Sequence, residues 1–192
     1  MDGLARLSLV FGIHCHQPVG TPAAVVDRAA DECYLPFLSA AADHPEFKFC
    51  AHFSGALLRP LELRRPKILD LLKSLVGRGQ LEILGGGFYD PILPILMEAD
   101  RSGQIRRFGD YLQRVTGQKP KGLWLAERVW DPQLCRPMGE TAVKFVMLDD
   151  RMLIAAGVAP ADVHGTFLTE EAGHSVAIFP IHERLRYLIP DE

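Results

Sequence analysis

Two histidines one residue apart, His14 and His16, follow the first apolar run of the chain. On an extended backbone such residues share a face, so both imidazoles are expected to point the same way. Zinc takes histidine nitrogens, and ring N–H groups also donate to sugar hydroxyls; two loop histidines satisfied by neighbours fit the same spacing. Farther along, GLWLAERVW sets Glu127 and Arg128 between Trp124 and Trp130. An unpaired carboxylate is costly to bury, so Glu127 marks either a strand reaching water or a group held for use. A cation beside it favours its ionised form. An ionised carboxylate walled by two tryptophans suits nucleophilic attack on an anomeric carbon, and a plain Glu–Arg pair on a rim fits the same residues.

Other clusters are less specific. Gly85-Gly86-Gly87 has no lysine after it and opens no helix, which excludes a phosphate-cradling loop; it lets the backbone approach a ligand or turn sharply. Phe88 and Tyr89 suit stacking on a sugar face or packing in a core. Asp149 and Asp150 are adjacent on a strand and point to opposite faces, so one at most looks into a central pocket. The other suits capping the next helix.

The elements that must position these groups read as alternating strands and helices. LSLVFGI (7–13) is an apolar run expected of a strand buried on both faces. Residues 24–42 read as helical, broken or kinked at Pro36. FKFCAHF (47–53) is a second strand, and residues 65–76 form a helix stopped by Gly77 and Gly79. LEIL (81–84) is the third strand and 100–115 an amphipathic helix. GLWLA (122–126), a short helix near 132–140 and VKFVML (143–148) follow, then a further short helix and the strands TFLTE and SVAIFP.

That order implies a parallel α/β sheet with right-handed crossovers. Every polar cluster comes just after a strand, which favours a (β/α) barrel over an open sheet, whose chemistry gathers at one switch point. A full eight-fold barrel takes about 250 residues. Here about five clear units precede LIPDE, so residues 1–192 are expected to be a single domain, an incomplete barrel truncated at its C-terminal side.

Composition agrees. With 48% apolar and 23% charged residues, a sizeable core is expected. The net charge of −3 and the lack of a basic stripe argue against nucleic acid as partner. No stretch approaches the roughly 18 apolar residues of a membrane span. Cys15, Cys33, Cys50 and Cys135 are scattered without a C-x-x-C, and the N-terminal run lacks a signal-cleavage pattern. Reduced thiols in a cytoplasmic protein are therefore expected.

IHCHQPVG, GGGFYDPIL and WLAERVWDP, in this order after successive strands, resemble the first three conserved regions of the family-57 glycoside hydrolases. HFSGALL, FVMLDD and FPIHERLRYLIP resemble the same family, most closely its α-amylase and 4-α-glucanotransferase branch. The resemblance covers nearly the whole chain. It implies a distorted, incomplete (β/α)7 barrel and a retaining double displacement on an α-1,4-glucan or maltooligosaccharide. By motif position Glu127 is the implied catalytic nucleophile. His14, His16, Gln17, Asp90, Trp124, Arg128 and Trp130 are the implied substrate contacts. No metal or other cofactor is implied.

The family's acid/base aspartate lies in a fourth region, resembling H-D-D-G-E-K-F, that these residues do not contain. The chain alone is therefore expected to be inactive unless a further segment or second chain completes it. Asp90 stands where the family usually has glutamate, and Arg151-Met152 where it has tyrosine-histidine. Two rival readings remain open: a metal-dependent hydrolase barrel using His14 and His16 with a carboxylate such as Asp149, and a non-catalytic glucan-binding fragment.

Overall fold

Strand β1 is Gly12–Cys15, shorter and later than the apolar run that predicts it. The structure is a computed structural model describing residues 8–191, so Leu7 of the expected strand and Glu192 lie outside the described residues. Leu9 and Val10 are 74% and 63% exposed. The expectation of a strand buried on both faces fails because only one face is covered: Phe11, Ile13 and Cys15 pack against the core, whereas Gly12 and His14 are exposed.

A long helical segment follows, α1 (Ala23–Ala29) and α2 (Leu35–Asp43), joined by a π-helical turn over Ala30–Tyr34. Pro36 lies just past that turn. A proline lacks the N–H and crowds the carbonyl four residues back; the widened turn absorbs the misfit, so the helix continues where a break was expected. Strand β2 (Phe49–Phe53) is buried along its whole length. Helix α3 (Gly55–Arg64) has no counterpart among the predicted elements, because Pro60 interrupts its pattern. It starts where Ser54 accepts a hydrogen bond from the Leu57 N–H. Helix α4 (Pro66–Gly77) buries Ile68, Leu72 and Leu75 completely, each worth about 1.5–3 kcal/mol relative to exposure.

Strand β3 (Leu81–Leu84) leads to a single 3-10 turn (Leu93–Ile95) and α5 (Glu98–Thr116), which ends on Gly117 in the left-handed conformation. Strand β4 is only Gly122–Leu123, not the five residues predicted. Short 3-10 turns over Ala126–Arg128 and Pro132–Leu134 precede α6 (Cys135–Glu140), β5 (Phe145–Asp149) and α7 (Asp150–Ala155). A last 3-10 turn (Pro160–Asp162) leads to β6 (Phe167–Glu171), β7 (His174–Ile181) and α8 (Glu183–Asp191).

The strands pair in parallel as β1-β2-β3 and β4-β5-β7, and a bridge between Gly85 and Leu123 joins the two groups. β6 is the exception. It pairs antiparallel to β7 through a two-residue turn, Ala172 and Gly173, with φ of 52° and 80° at the two positions, the positive-φ geometry that suits a tight hairpin. The sheet wraps around: Cys50 Sγ lies 4.0 Å from Met147 Sδ, so β2 meets β5 across the interior. This is the expected incomplete (β/α) barrel. Phe11, Phe49, Phe145 and Phe179 line a cavity of about 310 Å³ at the N-terminal end of its strands. No helix among the described residues is long and apolar enough to cross a membrane, and all four cysteines are unpaired.

Candidate active site

The strand register builds the site. In the β1–β2 pair His14 stands opposite His52, and Cys15 opposite Phe53. Side chains alternate along a strand, so His14 and His16 share a face with His52 and Ser54. The contacts follow: His14 Nδ1 lies 2.9 Å from His52 Nδ1, and His16 Nδ1 lies 2.9 Å from Ser54 Oγ. The His14 and His16 rings are nearly parallel, 6.1 Å apart. The expectation that both imidazoles point the same way is met. His52 and Ser54, both fully buried, were not singled out as site residues. The available signal was the matching H-x-H and H-x-S at two successive strand ends.

Next to β2, the three glycines serve the protein's own packing. A Cβ on Gly85 would come 2.8 Å from Pro120, and one on Gly86 would come 3.0 Å from both His52 Nε2 and the Trp124 carbonyl oxygen. Beyond them a turn brings Asp90 back over the histidines. Asp90 Oδ2 is 3.5 Å from His16 Nδ1 and 3.7 Å from His14 Nε2. Its side chain is 6% exposed, and Oδ1 has no hydrogen-bond partner. Burial raises the Asp90 pKa to about 6; His16 opposes the shift and the charge of Glu127 adds to it. Phe88 belongs to the core, whereas Tyr89 is partly exposed. The Arg107 guanidinium lies 4.7 Å and 5.2 Å from their ring centres, a cation–π arrangement.

After β4 the Trp124 ring stacks on His14 at 4.5 Å, and the chain turns tightly. Glu127 and Arg128 both adopt left-handed backbone, with φ of 52° and 54°, and Asp90 does so at 53°. Such conformations cost an L residue roughly 1–2 kcal/mol and gather at functional sites. Glu127 is exposed; it is the strand end reaching water. Yet it is near enough to Asp90 for their charges to interact, and Asp90 touches both histidines. Arg128 does not pair with Glu127, contrary to the sequence-based expectation. Its Nε donates to Asp149 Oδ2 at 3.0 Å, and its guanidinium carbon lies 5.8 Å from the Trp124 ring centre. Trp130 packs against the core around Leu125 and Leu134. Gln17 Nε2 donates to the Tyr34 hydroxyl at 3.4 Å.

His14, His52 and Asp90 each bring one potential metal-ligand atom to within 4.8 Å of the others. The arrangement is a chain, however: Asp90 faces Nε2 of His14 while His52 faces Nδ1. A metal held by all three would have to break the contact between the two rings. Neither His16 nor Asp149 belongs to that group, so the rival set of His14, His16 and Asp149 does not assemble.

The profile of "Glycosyl hydrolase family 57" matches residues 10–190. The chain is 44% identical over 180 residues to alpha-amylase 1 of Dictyoglomus thermophilum, covering 94% of this chain and 26% of that protein. It is 42% identical over 187 residues to the 4-alpha-glucanotransferase of Thermococcus litoralis, covering 97% of this chain and 28% of that protein. The crystal structure of that glucanotransferase superposes with a TM-score of 0.90 over 95% of this chain and 28% of the other. The chain thus spans little more than a quarter of the length of these relatives.

Proposed function

Because the chain belongs to glycosyl hydrolase family 57, we propose that it forms the sugar-binding, nucleophile-bearing part of a retaining α-glucan-active site, of the α-amylase or 4-α-glucanotransferase kind. One observation carries the reading. A carboxylate, Glu127, projects into solvent from a left-handed turn beside an aromatic–imidazole wall of Trp124 and His14. Trp124 offers a flat face to a sugar ring, and His14 and His16 offer ring nitrogens to its hydroxyls.

In this reading Glu127 attacks the anomeric carbon. The carbon–oxygen bond of a glycosyl ester forms while the glycosidic bond breaks. The departing oxygen needs a proton from a second carboxyl group about 5–5.5 Å away. Among the described residues near Glu127, Asp149 is held between two arginines and the Asp90 side chain is buried behind the histidines, so neither is presented to a departing oxygen. Without a general acid, turnover of unactivated glucan falls by about a hundred- to ten-thousand-fold. The chain by itself is therefore a glucan binder with a competent nucleophile and slow turnover.

Maltooligosaccharide titration, followed by tryptophan fluorescence and calorimetry, tests the site. Saturable binding that is lost in Trp124→Ala supports it. No binding to a folded chain, or binding indifferent to Trp124, overturns it.

A further inference from the structure

His52 is completely buried beneath the site. Its Nδ1 meets His14 Nδ1 at 2.9 Å. Its Nε2 has no partner and faces the space that Gly86 leaves open. The Phe108 ring packs edge-on to it at 5.7 Å. Burial first, then nearby positive charge, keeps both rings neutral: His16 and Arg128 take His14 down to about 4, and His14 and His16 take His52 well below its ordinary range. Two neutral imidazoles in nitrogen-to-nitrogen contact share one proton: one ring donates from Nδ1 and the other accepts.

The two senses leave different things behind. If His14 donated, the proton of His52 would sit on Nε2, a buried N–H without an acceptor. The bare Nε2 of His14 would also face an oxygen of Asp90 across 3.7 Å. If His52 donates, its buried Nε2 carries no hydrogen, and the Nε2–H of His14 points at that oxygen. Both differences favour the second sense.

We propose that His52 is a positioning residue: it donates its Nδ1 proton to His14 and thereby fixes His14 as the tautomer that presents an Nε2–H donor beside Asp90. The value of that donor for a sugar hydroxyl rests on the glucan-site reading above. The tautomer itself does not, so the two can fail separately. In water an isolated imidazole can settle on either nitrogen, whereas here the buried partner leaves one choice.

Heteronuclear NMR of the isotope-labelled chain above the ionisation range of Asp90 reads the protonated nitrogen of each ring directly. The expected result is His52 protonated on Nδ1 and His14 on Nε2. A proton on Nε2 of His52, or on Nδ1 of His14, overturns the proposal whatever the chain binds. Two variants add a second arm. His52→Asn keeps an amide N–H near the position of Nδ1 and is expected to hold maltooligosaccharide affinity within about threefold, whereas His52→Phe loses about tenfold or more. Equal loss in both variants, with native circular dichroism, assigns His52 a packing role and also overturns the proposal.

Discussion

Asp149 sits between two arginines: Oδ2 accepts from Arg128 Nε at 3.0 Å, and Oδ1 accepts from Arg186 Nη1 at 2.8 Å. It thereby ties the turn that carries Glu127 to helix α8, the last element of the chain. All three side chains are only partly exposed, so the bridge is less screened than a surface pair. Asp150 does not cap the next helix, α7, as expected; its Oδ2 accepts the backbone N–H of Glu183 at 3.4 Å, at the start of α8.

Asp149→Ala leaves two half-buried cations facing each other, and is expected to cost about 1–3 kcal/mol. Urea melts check the size. Arg128→Ala combined with Asp149→Ala is expected to cost less than the sum of the single changes, because the pair is lost once. Additive costs would mean that the contact is incidental.

The histidines make stability fall as pH falls. His14 and His52 have depressed pKa values in the fold. The unfolded chain therefore binds more protons than the fold from the ordinary histidine range down to about 4, and their contribution is lost as pH falls through that window. Asp90 is raised from 3.8 to about 6, so the fold binds its proton more tightly and Asp90 pulls the other way. Two groups outweigh one. The melting temperature is expected to be several degrees lower at about pH 5 than at about pH 7. The drop should shrink in His52→Asn. A melting temperature unchanged across this window would contradict the depressed ionisation of His14 and His52.

Gly86 sits directly against the buried ring of the site. Gly86→Ala would put a methyl group 3.0 Å from His52 Nε2 and from the Trp124 carbonyl oxygen, neither of which is the end of a flexible side chain. The expected cost is about 1–3 kcal/mol, with a weaker Trp124 response to maltooligosaccharide. Gly103→Ala, in the helix α5 with nothing within 4 Å of the new methyl, is the control and is expected to be neutral or stabilising by about 0.5–1 kcal/mol.

The sequence was most legible where a period was at work. The two-residue alternation predicted that His14 and His16 share a face, and helical spacing predicted α4 and α5 to within a few residues. The clustering of polar groups after strands predicted the barrel, because the C-terminal ends of parallel strands converge. What stayed hidden depended on neighbours distant in the chain. The role of His52 follows from a register that sets residue 14 opposite residue 52; the H-x-H and H-x-S motifs point to it only once that pairing is known. Arg128 had an adjacent carboxylate in sequence and a different one in space, because left-handed backbone at positions 127 and 128 redirects its side chain. Helix α3 was masked by Pro60; TFLTE was legible as a strand and forms β6, but its antiparallel direction was masked by the assumption that every strand follows the barrel. Trp130 carried the same sequence signal as Trp124, yet Trp124 stacks on His14 while Trp130 packs on the core.

Attack by Glu127 on an anomeric carbon can be read out with a substrate that needs no acid. An α-glucosyl fluoride slowed by a fluorine on its ring carries a leaving group that departs without protonation, so this chain can be trapped as it stands. Attack by a Glu127 oxygen forms an ester to the anomeric carbon and expels fluoride. Peptide mass spectrometry is expected to place one glucosyl unit on the peptide containing Glu127, and none there in Glu127→Gln. A label on another carboxylate, or the same label persisting in Glu127→Gln, would contradict the account.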